Sequence, residues 1–228
     1  EQLTINKIKS FSLDDVEYVF INGEGSIYDK QEKGINIIRA ISYLKSLKKS
    51  LKIFFLNSTF DLGNRVMSNE ILNISKHITL FCAREEISLN NLKKIGINNC
   101  ILQPDFLYSE LNFEDYKNNK YVIVGGNSNY YRHDRKPFDA VGAYDNLVRH
   151  LLDKGHDVRL YSSDLSDIKF LEPVQKKYKL NHITCQKTNW RAAFDILSSA
   201  KMSISGRYHP SIMSLCGMTP SYFISANN

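Results

Sequence analysis

Short apolar runs and amphipathic stretches alternate along nearly the whole chain, and this alternation limits the fold more than any other feature. Val16–Asn22, Lys52–Leu56, Ile78–Cys82 and Ile101–Leu102 have the length and the β-branched or aromatic content of strands. So do Tyr121–Val124, Asp157–Tyr161, His182–Cys185, Lys201–Ser205 and Tyr222–Ile224. Between them lie helical patterns. Gly34–Lys48 sets Ile35, Ile38, Ile41, Leu44 and Leu47 at helical spacing. Glu85–Ile95 is closed by Gly96 and Phe138–Lys154 by Gly155, the residue type that best ends a helix. Ser166–Lys179 and Trp190–Ala200 complete the set. Strand–helix alternation implies parallel sheets with helices on both faces. The stretch 110–120 has no periodicity and reads as a linker. The pattern therefore predicts an α/β fold of two Rossmann-like domains facing a cleft, residues 1–112 and 119–228. The N-terminal half carries few strands, the chain opens at Glu1, and it closes just after a strand. The expected fold is thus incomplete at one or both termini.

The 228 residues are 43% hydrophobic and 24% charged, ordinary values for a globular protein. No apolar run approaches the length of a membrane span. The four cysteines are far apart, with no CxxC, which suits buried thiols in a reducing cytoplasm rather than a zinc or redox site. Net charge is +6. Lys48, Lys49, Lys52, Lys93, Lys94, Lys176 and Lys177 fit a solvated surface, and the same balance suits an anionic substrate or an anionic membrane leaflet. The basic residues are scattered and no recognition helix or stacking motif accompanies them, so nucleic acid is not an expected partner.

Polar residues gather where strands end. In an open α/β sheet this is the edge at which ligands bind. Gly23-Glu24-Gly25-Ser26 follows the first strand, and suits either a ligand close to the backbone or a tight turn into a helix. Glu24 and Ser26 are candidate contacts to sugar hydroxyls. Asn57-Ser58-Thr59 follows the second strand and offers Asn57, or a simple helix cap. Arg84 at the end of the third strand either meets a ligand or clamps Asp105 of Pro104-Asp105. Gly125-Gly126-Asn127-Ser128, with Arg132, His133 and Arg135, opens the second half. Glycine followed by arginine forks suits phosphate or carboxylate at Gly126, Arg132 and Arg135; a solvated loop is the alternative.

The run Ser205-Gly206-Arg207-Tyr208-His209-Pro210 gives the strongest pair. Arg207 and His209 follow a strand at spacing i, i+2. Pro210 is expected to begin a helix that Gly217 ends. A cation and an imidazole then sit beside a helix N-terminus, whose free N–H groups attract anions. Ser211 and Asn227 complete the candidate contacts.

Taken together, Gly23-Glu24-Gly25-Ser26, Ala83-Arg84-Glu85 with Ser88, Leu92 and Gly96, Pro104-Asp105, Ser205-Gly206-Arg207-Tyr208-His209, Ser214–Pro220 and Ser225-Ala226-Asn227 resemble the polysaccharide pyruvyl transferase family. The resemblance implies a GT-B-like fold and a cytoplasmic transferase of polysaccharide biosynthesis. Such an enzyme moves a pyruvyl group from phosphoenolpyruvate onto a sugar hydroxyl of a cell-surface glycan. It also implies that Arg207 and His209 contact phosphoenolpyruvate, as the family's Arg-x-His element does, with Tyr208 where the family more often has Leu. The N-terminal domain would be the acceptor side and the C-terminal domain the donor side. No cofactor or metal is implied, phosphoenolpyruvate being the donor substrate. Contact with a membrane-linked glycan at the inner face of the membrane is a further expectation.

Two other readings stay open. His209-Pro210 is similar to the His-Pro pair of bacterial sialyltransferase-like enzymes, which would make the donor a CMP-activated acidic sugar and a carboxylate such as Glu24 or Asp105 the base. A non-catalytic glycan-binding protein with a relict cleft would instead engage Arg207 and His209 with internal carboxylates.

Overall fold

The computed structural model describes residues 5–27, 32–110, 121–127 and 139–224. The chain divides into two compact units, Glu1–Phe106 and Leu107–Asn228. Residues 113–118, between the two domains expected from the sequence, lie outside the described residues.

The first unit runs α1 (Ile5–Ile8), β1 (Tyr18–Ile27), α2 (Glu32–Leu47), β2 (Lys52–Phe60), α3 (Arg65–Ser75), β3 (Leu80–Ala83), α4 (Glu86–Lys94), β4 (Cys100–Leu102). Its strands form a parallel sheet in the order β1-β2-β3-β4. Crossovers between parallel strands are right-handed. Here every crossover steps the same way along the sheet, so α2, α3 and α4 fall on one face. They share a single core with Ile21, Ile53, Phe55 and Phe81. Phe55, Phe60 and Phe81 are fully buried there, with ring centroids 5.4 to 6.0 Å apart. Each such ring contact adds about 0.5–1.5 kcal/mol to simple burial. The other face carries Tyr18 and Phe20, 47% and 65% exposed. This corrects the expectation of helices on both faces: in this unit, among the described residues, the helices cover only one.

Two further features of this unit differ from the sequence pattern. Gly23-Glu24-Gly25-Ser26 and Asn57-Ser58-Thr59 lie within β1 and β2 rather than in loops after them. The two strands stay paired through Glu24 opposite Ser58 and Ile27 opposite Phe60, with a register shift between. Helix α3 is also absent from the expected pattern. Yet Met67, Ile71 and Ile74 are buried at i, i+4, i+7, and the Asn64 side chain caps the helix by accepting from the Val66 N–H at 2.9 Å.

The second unit runs α5 (Leu107–Glu110), β5 (Val122–Asn127), α6 (Ala140–Asp153), β6 (Val158–Ser162), α7 (Leu165–Tyr178), β7 (Asn181–Thr184), α8 (Trp190–Ser198), β8 (Met202–Gly206), α9 (Tyr208–Cys216), β9 (Ser221–Phe223). Its parallel strands take the order β7-β6-β5-β8-β9. From β5 the chain first builds outward through β6 and β7, then returns to the other side of β5 with β8. Right-handed crossovers therefore put helices on both faces. Tyr144 and Val148 of α6 and Phe170 and Leu171 of α7 pack on Val122, Val124, Val158 and Leu160. Phe194 and Leu197 of α8 and Ile212, Met213 and Cys216 of α9 pack with Ile123 and Tyr161 opposite. Val122, Ile123 and Val124 are all buried, as a central parallel strand requires.

In the first unit, α2 starts so close to β1 that a Cβ on Gly34 would lie 2.6 Å from the Ser26 carbonyl oxygen. Alanine is the better helix former by about 1 kcal/mol. Overlap with a fixed backbone atom costs about 1–3 kcal/mol. Gly34→Ala is therefore expected to lower stability in urea unfolding; an unchanged or raised midpoint contradicts this packing.

Candidate functional site

The order of the second sheet has one reversal, between β5 and β8. Ligands of doubly wound sheets bind at such a switch point, beyond the strand C-termini. Asn127 ends β5 level with Gly206 at the end of β8. Arg207 and His209 follow directly.

Arg207 leaves β8 in extended conformation and is the N-cap of α9, without a capping bond from its own side chain. The helix begins at Tyr208, so Pro210 is its third residue rather than its first. A missing N–H still costs nothing there, because the first turn has no internal acceptors. The turn is fixed by its neighbours. The Arg207 N–H donates to Ser205 Oγ at 3.1 Å, and Ser211 Oγ donates to the Arg207 carbonyl at 2.8 Å. The Ser211 side chain, expected to meet substrate, is thus buried and its proton is held by the backbone. His209 is the second residue of α9 and is half-buried, its ring edge-on to Tyr208 with centroids 5.6 Å apart.

The Arg207 guanidinium is engaged from behind. Its Nε donates to both carboxylate oxygens of Asp167, at 3.1 and 3.2 Å. Its Nη2 donates to Asp167 Oδ1 at 2.7 Å and to Ser166 Oγ at 2.9 Å, and lies 3.6 Å from Asp164. Asp167 is fully buried. It is the third residue of α7, and its carboxylate also accepts the Asp164 N–H at 3.3 Å, closing a capping box. Burial pushes the Asp167 carboxyl above its ordinary range, and Arg207 opposes that shift. Hydrogen bonds from Ser166, aided by Arg207, hold the Asp164 carboxyl below its own ordinary range. Burial pushes the nearby Tyr161 hydroxyl up to about 12.

Gly126 changes meaning in this setting. A Cβ there would lie 2.0 to 2.3 Å from the Asp167 carboxyl group. The glycine makes room for a protein carboxylate, whereas the sequence pattern suited either a bound anion or a solvated loop. Asp167, Ser166 and Asp164 are absent from the residues singled out from the sequence. Their signal is the Asp-x-x-Asp spacing at the start of a helix after a strand, a capping-box pattern.

In the first unit, the singled-out residues fall into two groups. Glu24 and Asn57 sit near the C-terminal ends of neighbouring strands, both with left-handed backbone, φ 45° and 48°. Such a conformation in non-glycine residues costs about 1–3 kcal/mol and clusters at functional sites. Asn22 joins them: it donates to Glu24 Oε1 at 3.5 Å and accepts from Asn57 Nδ2 at 3.4 Å. Asn57 is 5% exposed, and its Oδ1 has no hydrogen-bond partner among the described residues. Ser26 is buried within β1. The second group is the clamp. Arg84, 9% exposed, donates to Thr59 Oγ1 at 2.7 Å and lies 3.3 Å from Glu85 and 3.6 Å from Asp105. Glu85 also accepts from Ser88, which in turn takes the Phe60 N–H. Arg84 is therefore paired with protein carboxylates. Arg132, Arg135 and Asn227 lie outside the described residues.

Among the described residues, no three His, Cys, Asp or Glu side chains are placed to hold a metal, and no helix is long and apolar enough to cross a membrane. Burial raises the thiols of Cys82, Cys100 and Cys216.

The sequence model of polysaccharide pyruvyl transferases matches residues 2–228. The chain belongs to the polysaccharide pyruvyl transferase family, a family of transferases. No match emerges among curated proteins. Solved structures share the fold at low identity. An S. aureus MnaA–UDP complex is 11% identical, with TM-score 0.59, over 90% of this chain and 57% of its own. Methanocaldococcus jannaschii UDP-GlcNAc 2-epimerase bound to UDP-GlcNAc and UDP is 11% identical, with TM-score 0.57, over 90% and 59%. A Listeria monocytogenes protein described as a putative UDP-N-acetylglucosamine 2-epimerase is 8% identical, with TM-score 0.59, over 90% and 55%. The chain thus spans less than two thirds of the length of these structures, and the likeness is one of GT-B-type fold.

Removing Arg207 leaves the Asp167 carboxylate buried and uncompensated, a loss of about 3–5 kcal/mol at neutral pH. A carboxyl with a raised folded-state pKa favours the fold below its unfolded value and loses that contribution as pH rises through the folded one. Arg207→Met is therefore expected to fall furthest behind the wild type at neutral pH and to recover relative to it toward acid. Urea unfolding of both proteins across pH checks this; a constant gap contradicts it.

Proposed function

We propose that this chain transfers a pyruvyl group from phosphoenolpyruvate onto sugar hydroxyls of a cell-surface polysaccharide. The observation that carries this reading is an Arg-x-His pair at the switch point of the second sheet, in a member of this family. Phosphoenolpyruvate carries a phosphate and a carboxylate. Arg207 supplies a planar fork for one of them. The first turn of α9 supplies N–H groups and the positive end of a helix dipole. Arg132 and Arg135, from the segment after β5, are proposed as further cations.

Ketal formation needs protons moved in both directions. One hydroxyl gives up its proton to His209 as its oxygen bonds to C2 of phosphoenolpyruvate, while the methylene carbon takes a proton from the imidazolium and becomes a methyl group. The C2–O bond to phosphate then breaks, and the phosphate leaves with the bonding pair. A second hydroxyl oxygen closes the ketal and releases its proton to phosphate or solvent. His209 is proposed to hold the moving proton, since imidazole exchanges protons readily near neutral pH. Asn22, Glu24 and Asn57, with their amide and carboxylate oxygens at the edge of the first sheet, are proposed to bind acceptor hydroxyls. The acceptor is a membrane-linked glycan reached from the cytoplasmic side.

The pairing of Arg207 with Asp167 is also what the non-catalytic reading expects of that residue. A preorganised anion fork needs the same support, and family membership weighs toward transfer.

Calorimetric titration with phosphoenolpyruvate and with CMP tests the proposal, using His209→Ala and Arg207→Lys as controls, because both keep Asp167 from facing an empty site. Phosphoenolpyruvate is expected to bind the wild type and to be weakened by both changes. Binding of CMP alone overturns the pyruvyl reading in favour of a CMP-sugar donor. Silence from both ligands returns the protein to the non-catalytic reading.

A further inference from the structure

We propose that Asp167 is a positioning residue: it fixes the Nε and Nη2 side of the Arg207 guanidinium so that the Nη1 end meets the anionic donor. The inference rests on the transfer reading for the identity of that donor, and on the second unit's geometry for the rest.

A guanidinium has five N–H donors in one plane. Among the described residues, Asp167 and Ser166 engage the Nε proton and both Nη2 protons. The side chain keeps 18% of its surface exposed, while that of Asp167 has none. The carboxylate is itself buried and anchored. It is held by the Asp164 N–H and fills the space that the missing side chain of Gly126 leaves. A buried, bidentate and externally fixed acceptor sets the plane of the guanidinium and not merely its location. An ion or carboxylate arriving at the switch point then meets donors whose direction is already fixed, so little ordering is required on binding.

The alternative role for Asp167 is charge balance alone, and the two roles differ in sign. Asp167→Asn keeps size and an acceptor oxygen but removes the negative charge. If Asp167 only offsets the charge of Arg207, the variant is more cationic at the site and binds phosphoenolpyruvate more tightly. If it positions Arg207, the fork loses its direction and binding weakens by about 10- to 100-fold, the range for losing an oriented charged hydrogen bond. Arg207→Lys keeps the charge, loses the plane, and is expected to weaken binding similarly.

The experiment is calorimetry with phosphoenolpyruvate on wild type and Asp167→Asn, with thermal melting to establish that both are folded. It is paired with ¹⁵N–¹H spectra of the arginine Nε–H groups, in which Arg207→Lys identifies the Arg207 signal. A slowly exchanging Arg207 Nε–H is expected in the wild type and lost to exchange in Asp167→Asn. Unchanged or tighter binding by Asp167→Asn, or an Arg207 Nε–H signal that survives intact, overturns the positioning role. Wild-type protein that ignores phosphoenolpyruvate overturns only the pyruvyl reading, and the Nε–H comparison still decides whether Asp167 holds the guanidinium. Should Asp167→Asn fail to fold, Ser166→Ala removes one Nη2 contact, together with the hydroxyl's bond to Asp164, and leaves Asp167 in place. It is expected to weaken binding several-fold, and equal binding counts against the proposal.

Discussion

A fully buried carboxylate facing a guanidinium governs the layout of the second unit. Burying either charge alone would cost several kcal/mol, so each needs the other. Asp167 enters through the first turn of α7 and Arg207 through the end of β8, so the pair ties together elements 40 residues apart in sequence. The surrounding residues follow from this pair. Gly126 is small because the carboxylate occupies its side-chain space. Ser205 and Ser211 bond the Arg207 backbone because the N-cap residue has turned its own side chain to Asp167. The first turn of α9, and with it His209, is consequently set by an ion pair at its back rather than by an ordinary side-chain cap.

Strand order explains why this chemistry sits in one unit and not the other. In the first sheet, among the described residues, each strand is added beyond the last, so the crossover helices share a face and no reversal opens a crevice between strand ends. In the second sheet the chain returns past β5, and the helices that follow β5 and β8 pack on opposite faces. The first unit still shows local investment of strain. Glu24 and Asn57 hold left-handed backbone within paired strands, and the buried Asn57 Oδ1 lacks a partner among the described residues. Polar groups kept in that state are costly to the fold alone. That cost is the observation that supports the proposed acceptor role of these residues.

The sequence showed the elements well and their interlocking poorly. Apolar periodicity located nearly every strand and most helices, since burial of Val122–Val124 or of the α2 stripe needs only local spacing. It missed α3, whose buried residues are just Met67, Ile71 and Ile74 in a largely polar stretch. It also ended β1 and β2 too early, because Gly, Ser, Asn and Thr read as turn residues when the pairing partner that keeps them extended is unseen. At the site, Arg207, His209 and the Arg84–Asp105 pair were legible as residues at strand ends. The role of Gly126 was not, for a glycine that admits a ligand and one that admits a carboxylate from 41 residues away look alike in sequence.

The net charge of +6 invites an explanation of anion binding by overall field. The described geometry argues for a local one. Lys52, Lys176 and Lys177 are exposed and already face Glu17, Glu172 and Asp145, pairs that salt readily screens. Arg84 is spent on a buried clamp, and the charge of Arg207 is largely offset by Asp167. What the switch point offers an anion is therefore direction more than charge: a guanidinium held in one plane and the N–H groups of a helix start. Such donors discriminate by the geometry of a phosphate or carboxylate, which a diffuse positive surface cannot do. For the proposed phosphoenolpyruvate donor, that is the kind of selectivity a carboxylate buried behind its arginine supplies.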